Sequence, residues 1–240
     1  MNTNHLTDVL RTVKHVLLDF DGPVCSVFAG LPAPDVARQL HGVLLPTLTV
    51  EAPADWATET DPLALLRHVA DVRPDLAATA DTTLTRLEVE AVALAESTAG
   101  GESTIRACAE SGRSVWIISN NSGDAIRAYL DDHGLADDIA GVFGRVPGDP
   151  TSMKPNPRLL LDALSAASAA PASCVFIGDA VRDVEAGRAV EVATIGYANK
   201  AGKEAKLAAA GAVAVTDSME AVADALRRWA ACGPSGEAQC

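Results

Sequence analysis

Two aspartates, Asp19 and Asp21, flank a single residue in Asp19-Phe20-Asp21-Gly22, immediately after the apolar run Val16-Leu17-Leu18. Like charges this close raise each other's pKa, so the pair is costly unless a cation or a proton-transfer task uses it. A solvated pair of loop carboxylates would carry the same spelling, and the motif alone leaves both open. An apolar run bounded by turn residues is the pattern of a buried strand. Its alternation puts Asp19 and Asp21 on one side with Phe20 opposite. Gly22 and Pro23 then break the strand and bring the backbone close to whatever the carboxylates hold.

Further chemistry-bearing residues follow similar runs. The stretch from Ser114 to Ile118 ends in Ser119-Asn120-Asn121, a hydroxyl and two amides. Met153-Lys154-Pro155-Asn156-Pro157 supplies a lysine, and Cys174-Val175-Phe176-Ile177 ends in Gly178-Asp179, with Asp183 beyond. Singly, each has an ordinary explanation. Ser119 could merely terminate a strand, Lys154 could be a solvated loop residue, and Asp183 a first-turn carboxylate favoured by a helix dipole. Asp179 offers the hard oxygen that a divalent cation prefers.

The elements that must position these residues alternate. A helical turn leads in over residues 1–14, and the Val16 strand follows. From Glu102 the pattern reads helix (Arg106–Glu110), strand (Ser114–Ser119), helix (Ser122–His133, stopped by Gly134) and a short strand at Val142-Phe143. Next come a helix opened by Asn156-Pro157, the Cys174 strand, a helix from Asp179 to Arg188, and a strand at Ala193–Ile195. A helix over Lys203–Ala210, a strand at Val213–Val215, a helix over Met219–Trp229 and a frayed tail from Gly233 close the chain. Such alternation gives a parallel sheet covered on both faces, whose ligand-binding residues gather at the carboxyl ends of the strands. Asp19, Ser119 and Asp179 all belong there.

Between Pro32 and Gly100 the strands vanish. Val36, Leu40, Val43 and Leu44 have helical spacing, Asp61-Pro62 is a helix start, and a third helix is expected from about Asp81 to Ser97. The expected architecture is therefore a three-layer α/β/α core (residues 1–31 and 101–240) with a mostly parallel sheet, and a small helical cap (residues 32–100) inserted after the first strand.

Composition bounds the rest. A chain of 240 residues with 48% hydrophobic content can fill a core. A net charge of −13 argues against nucleic acid as a partner, since phosphates demand a basic face. With neither a membrane-length apolar run nor a signal-peptide core, the expectation is a cytoplasmic protein with no membrane partner. The five cysteines (Cys25, Cys108, Cys174, Cys232, Cys240) lack metal-site spacing and read as reduced thiols.

Taken in order, Asp19-Phe20-Asp21-Gly22, Ser119, Lys154-Pro155 and Gly178-Asp179 with Asp183 resemble the four motifs of the haloacid dehalogenase-like hydrolase superfamily, in its phosphatase branch. The resemblance runs from Asp19 to Gly196-Tyr197-Ala198-Asn199-Lys200. It implies phosphoryl transfer through an aspartyl intermediate: Asp19 as nucleophile, Asp21 as general acid and then base, and Lys154 neutralising Asp19 and the phosphoryl group. Ser119 and Asn120, with Lys154, would bind the substrate's phosphoryl oxygens. Mg²⁺ would be held by Asp19, Asp21 (through its backbone carbonyl), Asp179 and Asp183. The implied substrate is a small phosphorylated metabolite of the phosphoglycolate or sugar phosphate type, handled by a monomer or homodimer. Dehalogenases of the superfamily usually lack the second aspartate, because halide leaves without a proton. A phosphomutase similar to β-phosphoglucomutase would share all four motifs, and a receiver-type phospho-aspartate protein would share some of them. The chain departs from the family at Cys25-Ser26-Val27-Phe28, where an acid is usual, and at Glu191, where glycine is frequent.

Overall fold

His15–Leu18 (β1) is buried on both faces, and its parity sorts it between two cores. Val16 and Leu18 join the cluster that contains Val115, Ile117, Val175 and Ile177, whereas Leu17 joins the one with Ile118, Phe176 and Leu160. That double burial is why the strand reads as a continuous apolar run rather than an alternating one. The computed structural model describes residues 3–47, 56 and 58–230; the tail expected to fray, with Cys232 and Cys240, lies outside them.

Among the described residues a six-stranded parallel sheet has the order β5-β4-β1-β6-β7-β8. The flanking strands are β4 (Ser114–Ser122), β5 (Ile139–Arg145), β6 (Cys174–Gly178), β7 (Ala193–Tyr197) and β8 (Ala214–Thr216). Helices α1 (Thr3–Leu10), α5 (Gly101–Glu110), α6 (Gly123–Asp132), α7 (Arg158–Ala167), α8 (Val181–Ala189), α9 (Lys203–Ala210) and α10 (Met219–Ala230) flank it. The α/β layering expected from the sequence is present. No helix among the described residues is long and apolar enough to cross a membrane.

A helical insertion lies between β1 and α5. It is entered by β2 (Cys25–Ser26) and left by β3 (Glu96–Ser97), which pair antiparallel with Cys25 opposite Ser97. Between them lie α2 (Ala33–Leu44), α3 (Pro62–Val72) and α4 (Ala77–Val92). Asp61 caps α3 by accepting from the N–H groups of Leu63 and Ala64, with Pro62 in the first turn. The three helices enclose their own core of Leu40, Leu65, Leu66, Leu84 and Leu87, joined by Met153 from the sheet side.

Several boundaries differ from expectation, among them α5, which starts at Gly101 rather than Arg106. Helix α4 runs from Ala77 to Val92 instead of reaching Ser97, because the chain after Val92 is taken up by the β2–β3 ribbon. Strand β4 continues to Ser122 rather than stopping at Ser119, with a register irregularity between Ile118 and Ser122 against β5. Strand β5 runs over Ile139–Arg145, well beyond Val142-Phe143. At the exit of α8, Glu191 adopts φ 59°, the left-handed conformation that a glycine would supply.

Candidate active site

The parity that sorts Leu17 from Leu18 carries on into the motif. Phe20 enters the same core as Leu18 and meets Tyr129 edge-on at 5.3 Å, while Asp19 lies on the other side. The Asp19 N–H still bonds to the Ile177 carbonyl at 2.9 Å, so the sheet ladder fixes its backbone. Beyond it, Gly22 has φ 113° and a Cβ there would fall 2.7 Å from Asp179 Cγ. Glycine thus lets the first motif close against the fourth.

Lys154 joins the groups. Its side chain is 1% exposed, and Nζ lies 2.8 Å from both Asp19 Oδ1 and Asp183 Oδ1. Nζ also donates to the Ile118 carbonyl at 3.0 Å, and it stands 5.2 Å from the centre of the Phe176 ring. Burial pulls the Lys154 pKa down, but Asp183 and Asp19 outweigh it and the net direction is up. Burial pushes the Asp19 carboxyl well above the usual range, with Lys154 opposing. Asp183 has a second task, accepting the Ala180 N–H at 2.9 Å through Oδ2, so it is both a first-turn cap of α8 and a partner of Lys154.

Carboxylate oxygens of Asp19, Asp179 and Asp183 lie within 4.8 Å of one another. Asp179 Oδ2 accepts from Asn199 Nδ2 at 3.0 Å and pairs with Lys203 Nζ. Neither partner was singled out by sequence. The only signal was position, just past the carboxyl end of β7, and a lysine in the first turn of α9, where the helix dipole disfavours it. Asp21 turns its carboxylate to the Val27 N–H at 3.0 Å and stands outside the three-acid cluster. Burial raises its pKa, and the Val27 N–H works against the shift. Asp19 and Asp183 thus pair with Lys154 and Asp179 with Lys203, while Asp21 and the Arg182 guanidinium act on the group electrostatically from close by. Such a set, all hard oxygens with negative charge in excess, fits a divalent cation.

Ser119 is buried, accepting the Asn121 N–H at 3.2 Å and donating to Asn121 Oδ1 at 3.1 Å. Asn120, expected to contact substrate, has its side chain turned to Lys154. Oδ1 accepts the Lys154 N–H at 2.8 Å, and Nδ2 donates to its carbonyl at 3.3 Å. The amide matches a backbone peptide and so holds the lysine in register. From the insertion, Arg67 donates to the same carbonyl at 3.2 Å. A cavity of about 420 Å³ opens beside the cluster, lined by Asp21, Gly22, Ser26, Asp179, Asn199 and Lys200. Cys25 is buried, and its thiol pKa is pushed up by that burial and then by Asp21 and Asp19, so it is inert.

The family model of haloacid dehalogenase-like hydrolases matches residues 13–191. The chain is a haloacid dehalogenase-like hydrolase. Several solved structures share its fold at low identity. A subfamily IA hydrolase from Geobacter sulfurreducens PCA is 19% identical with a TM-score of 0.58, over 90% of this chain and 97% of that one. CbbY from Rhodobacter sphaeroides, solved in complex with phosphate, is 15% identical with a TM-score of 0.64, over 87% and 95%. A predicted phosphoglycolate phosphatase from Haemophilus somnus 129PT is 14% identical with a TM-score of 0.61, over 89% and 97%. No curated protein matches the sequence of this hydrolase.

Proposed function

We propose that the protein is a Mg²⁺-dependent phosphatase of a small phosphorylated metabolite, of the phosphoglycolate or sugar phosphate type. The carrying observation is the buried Lys154 ammonium bridging Asp19 and Asp183, with Asp179 alongside. The membership in a hydrolase family and the phosphate-bound relative support the same reading.

Asp19 Oδ1 is committed to Lys154 and to the Phe20 N–H at 2.8 Å, which leaves Oδ2 to attack phosphorus. Lys154 favours the ionised form of the carboxylate against its burial and aims it, and its charge offsets that of the incoming phosphoryl group. As the Oδ2–P bond forms and the ester P–O bond breaks, Asp21 gives its proton to the leaving oxygen. Its raised pKa keeps that proton available nearer neutral pH. Water then attacks the aspartyl phosphate, Asp21 takes the water's proton, and the P–Oδ2 bond breaks to release phosphate. Ser119 and nearby backbone N–H groups would bind phosphoryl oxygens. Asp19, Asp179, Asp183 and the Asp21 backbone would hold Mg²⁺, which supplies charge neutralisation at the phosphoryl oxygens. Residues 32–100 would form the cap over a core of residues 1–31 and 101–240, and Arg67 reaches the Lys154 carbonyl from it.

The test is phosphate release with Mg²⁺ from p-nitrophenyl phosphate and a panel of phosphorylated metabolites. The wild type should turn over and a folded Asp19→Asn variant should not. No release from any substrate, or full activity in Asp19→Asn, would overturn the proposal.

A further inference from the structure

Behind the site lies a second buried charged cluster that the chemistry above does not use. Arg145, at the end of β5, pairs with Asp81 at 2.6 Å and with Glu88 at 3.0 Å. Both carboxylates belong to α4, seven residues apart, and so stand about two helical turns from each other on one face. Glu88 is 0% exposed. Removing three charged groups from water carries a large desolvation cost, and an apolar cluster of similar volume often does as well. Stability alone therefore gives a poor account of the cluster.

What it holds gives a better one. At the irregularity in β4, between Ile118 and Ser122, consecutive residues are gripped by this pair. Arg145 Nη1 donates to the Asn120 carbonyl at 3.0 Å. Glu88 Oε1 accepts from Asn121 Nδ2 at 3.1 Å, and Oε2 accepts the Ser122 N–H at 2.9 Å. From there two short routes lead to the proposed chemistry. Asn121 holds the Ser119 hydroxyl, and Asn120 holds the Lys154 backbone.

We infer that Glu88 and Arg145 are positioning residues for the phosphoryl-binding segment, through which helix α4 of the insertion sets the placement of Ser119 and Lys154. The inference rests on the phosphatase reading of the site. Glu88 Oε1 takes the Asn121 amide N–H, which leaves Asn121 Oδ1 facing Ser119. A glutamine at 88 has one acceptor oxygen where Glu88 uses two, so Asn121 or Ser122 loses its partner.

The experiment compares wild type, Glu88→Gln, Ser119→Ala and the double variant. Two quantities are read: inorganic phosphate affinity by calorimetry with Mg²⁺, and kcat and KM on p-nitrophenyl phosphate. Glu88→Gln should weaken phosphate binding and lower kcat/KM about 10- to 100-fold, the scale of a misplaced active-site group. In the Ser119→Ala background the same change should cost much less. Values within twofold of wild type in folded Glu88→Gln, or fully additive losses, would overturn the inference. If Glu88→Gln does not fold, Asn121→Ala replaces it in the cycle with the same expected and refuting outcomes. A wild type that binds phosphate without hydrolysing the ester overturns the phosphatase reading and leaves the affinity cycle to decide this one. A wild type that binds no phosphate overturns both.

Discussion

Replacing Lys154 with methionine keeps most of the side-chain volume while deleting the charge that joins Asp19 to Asp183. Two contacts of 2.8 Å and the bond to the Ile118 carbonyl disappear together. Stripping one partner from a buried ion pair costs about 3–5 kcal/mol, because the remaining charge is left uncompensated. Proton uptake by Asp19 limits the loss, since one pKa unit corresponds to about 1.4 kcal/mol. In a chain of this size about 3–5 kcal/mol corresponds to a fall in Tm of about 6–20 °C. The pH dependence has a definite sign. Burial already raises the Asp19 pKa, so the ionised carboxyl opposes folding at neutral pH and Lys154 offsets it. As pH falls and Asp19 protonates, lysine has less to offset, and the deficit of Lys154→Met should shrink to under about 2 kcal/mol near pH 4.5. Thermal melts of both proteins in EDTA at pH 7.5 and 4.5 measure this. A deficit below about 1 kcal/mol at neutral pH, or one equal at both pH values, would refute the account of Lys154 as counter-charge.

Asp21→Asn should slow turnover about 10²- to 10⁴-fold; rapid-quench measurement should show a burst of p-nitrophenol followed by a stalled second step, and equal slowing of both steps would make Asp21 a structural carboxylate. Asp179→Ala should raise the Mg²⁺ concentration needed for half-maximal activity far more than it lowers Tm, and an unchanged requirement would remove Asp179 as a ligand. Glu191→Gly should raise stability by up to about 1 kcal/mol in denaturant melts, since glycine adopts the left-handed conformation without the Cβ penalty. A loss there would mean that the glutamate side chain makes a contact outweighing its backbone cost.

The parts legible in the sequence were those written in local pattern. Double burial made β1 and β6 continuous apolar runs, and turn residues marked where Asp19 and Asp179 leave them. Asp61-Pro62 announced α3 because a cap and a first-turn proline are both local devices. What escaped was set at a distance. The strand was expected to stop at Ser119, yet Ser119 to Ser122 are all buried strand residues, and Asn120, Asn121 and Ser122 take partners, Glu88 and Arg145, from elsewhere in the chain. The end of α4 was invisible because no glycine or proline follows Val92, and Leu94, 56% exposed, imitates the helical stripe. The bonds from the Asn120 side chain to the Lys154 backbone escaped as well, since the two lie far apart in sequence. Lys203 carried only the weak signal of a lysine in a helix's first turn, and its partner Asp179 lies at the end of another strand.

Parity in β1 ties two kinds of selection together. The alternation that sends Leu18 and Phe20 to one core and Leu17 to the other also decides which side of the sheet Asp19 occupies. A one-residue deletion between Val16 and Leu18 would exchange the two cores' contributions and rotate the carboxylate away from Lys154 in the same stroke. No drift in the strand's register can therefore be neutral for folding and harmful for chemistry, or the reverse. Variation in this strand is confined to swaps of one apolar side chain for another, and a lineage that lost the activity would still be held to the same spacing by its packing.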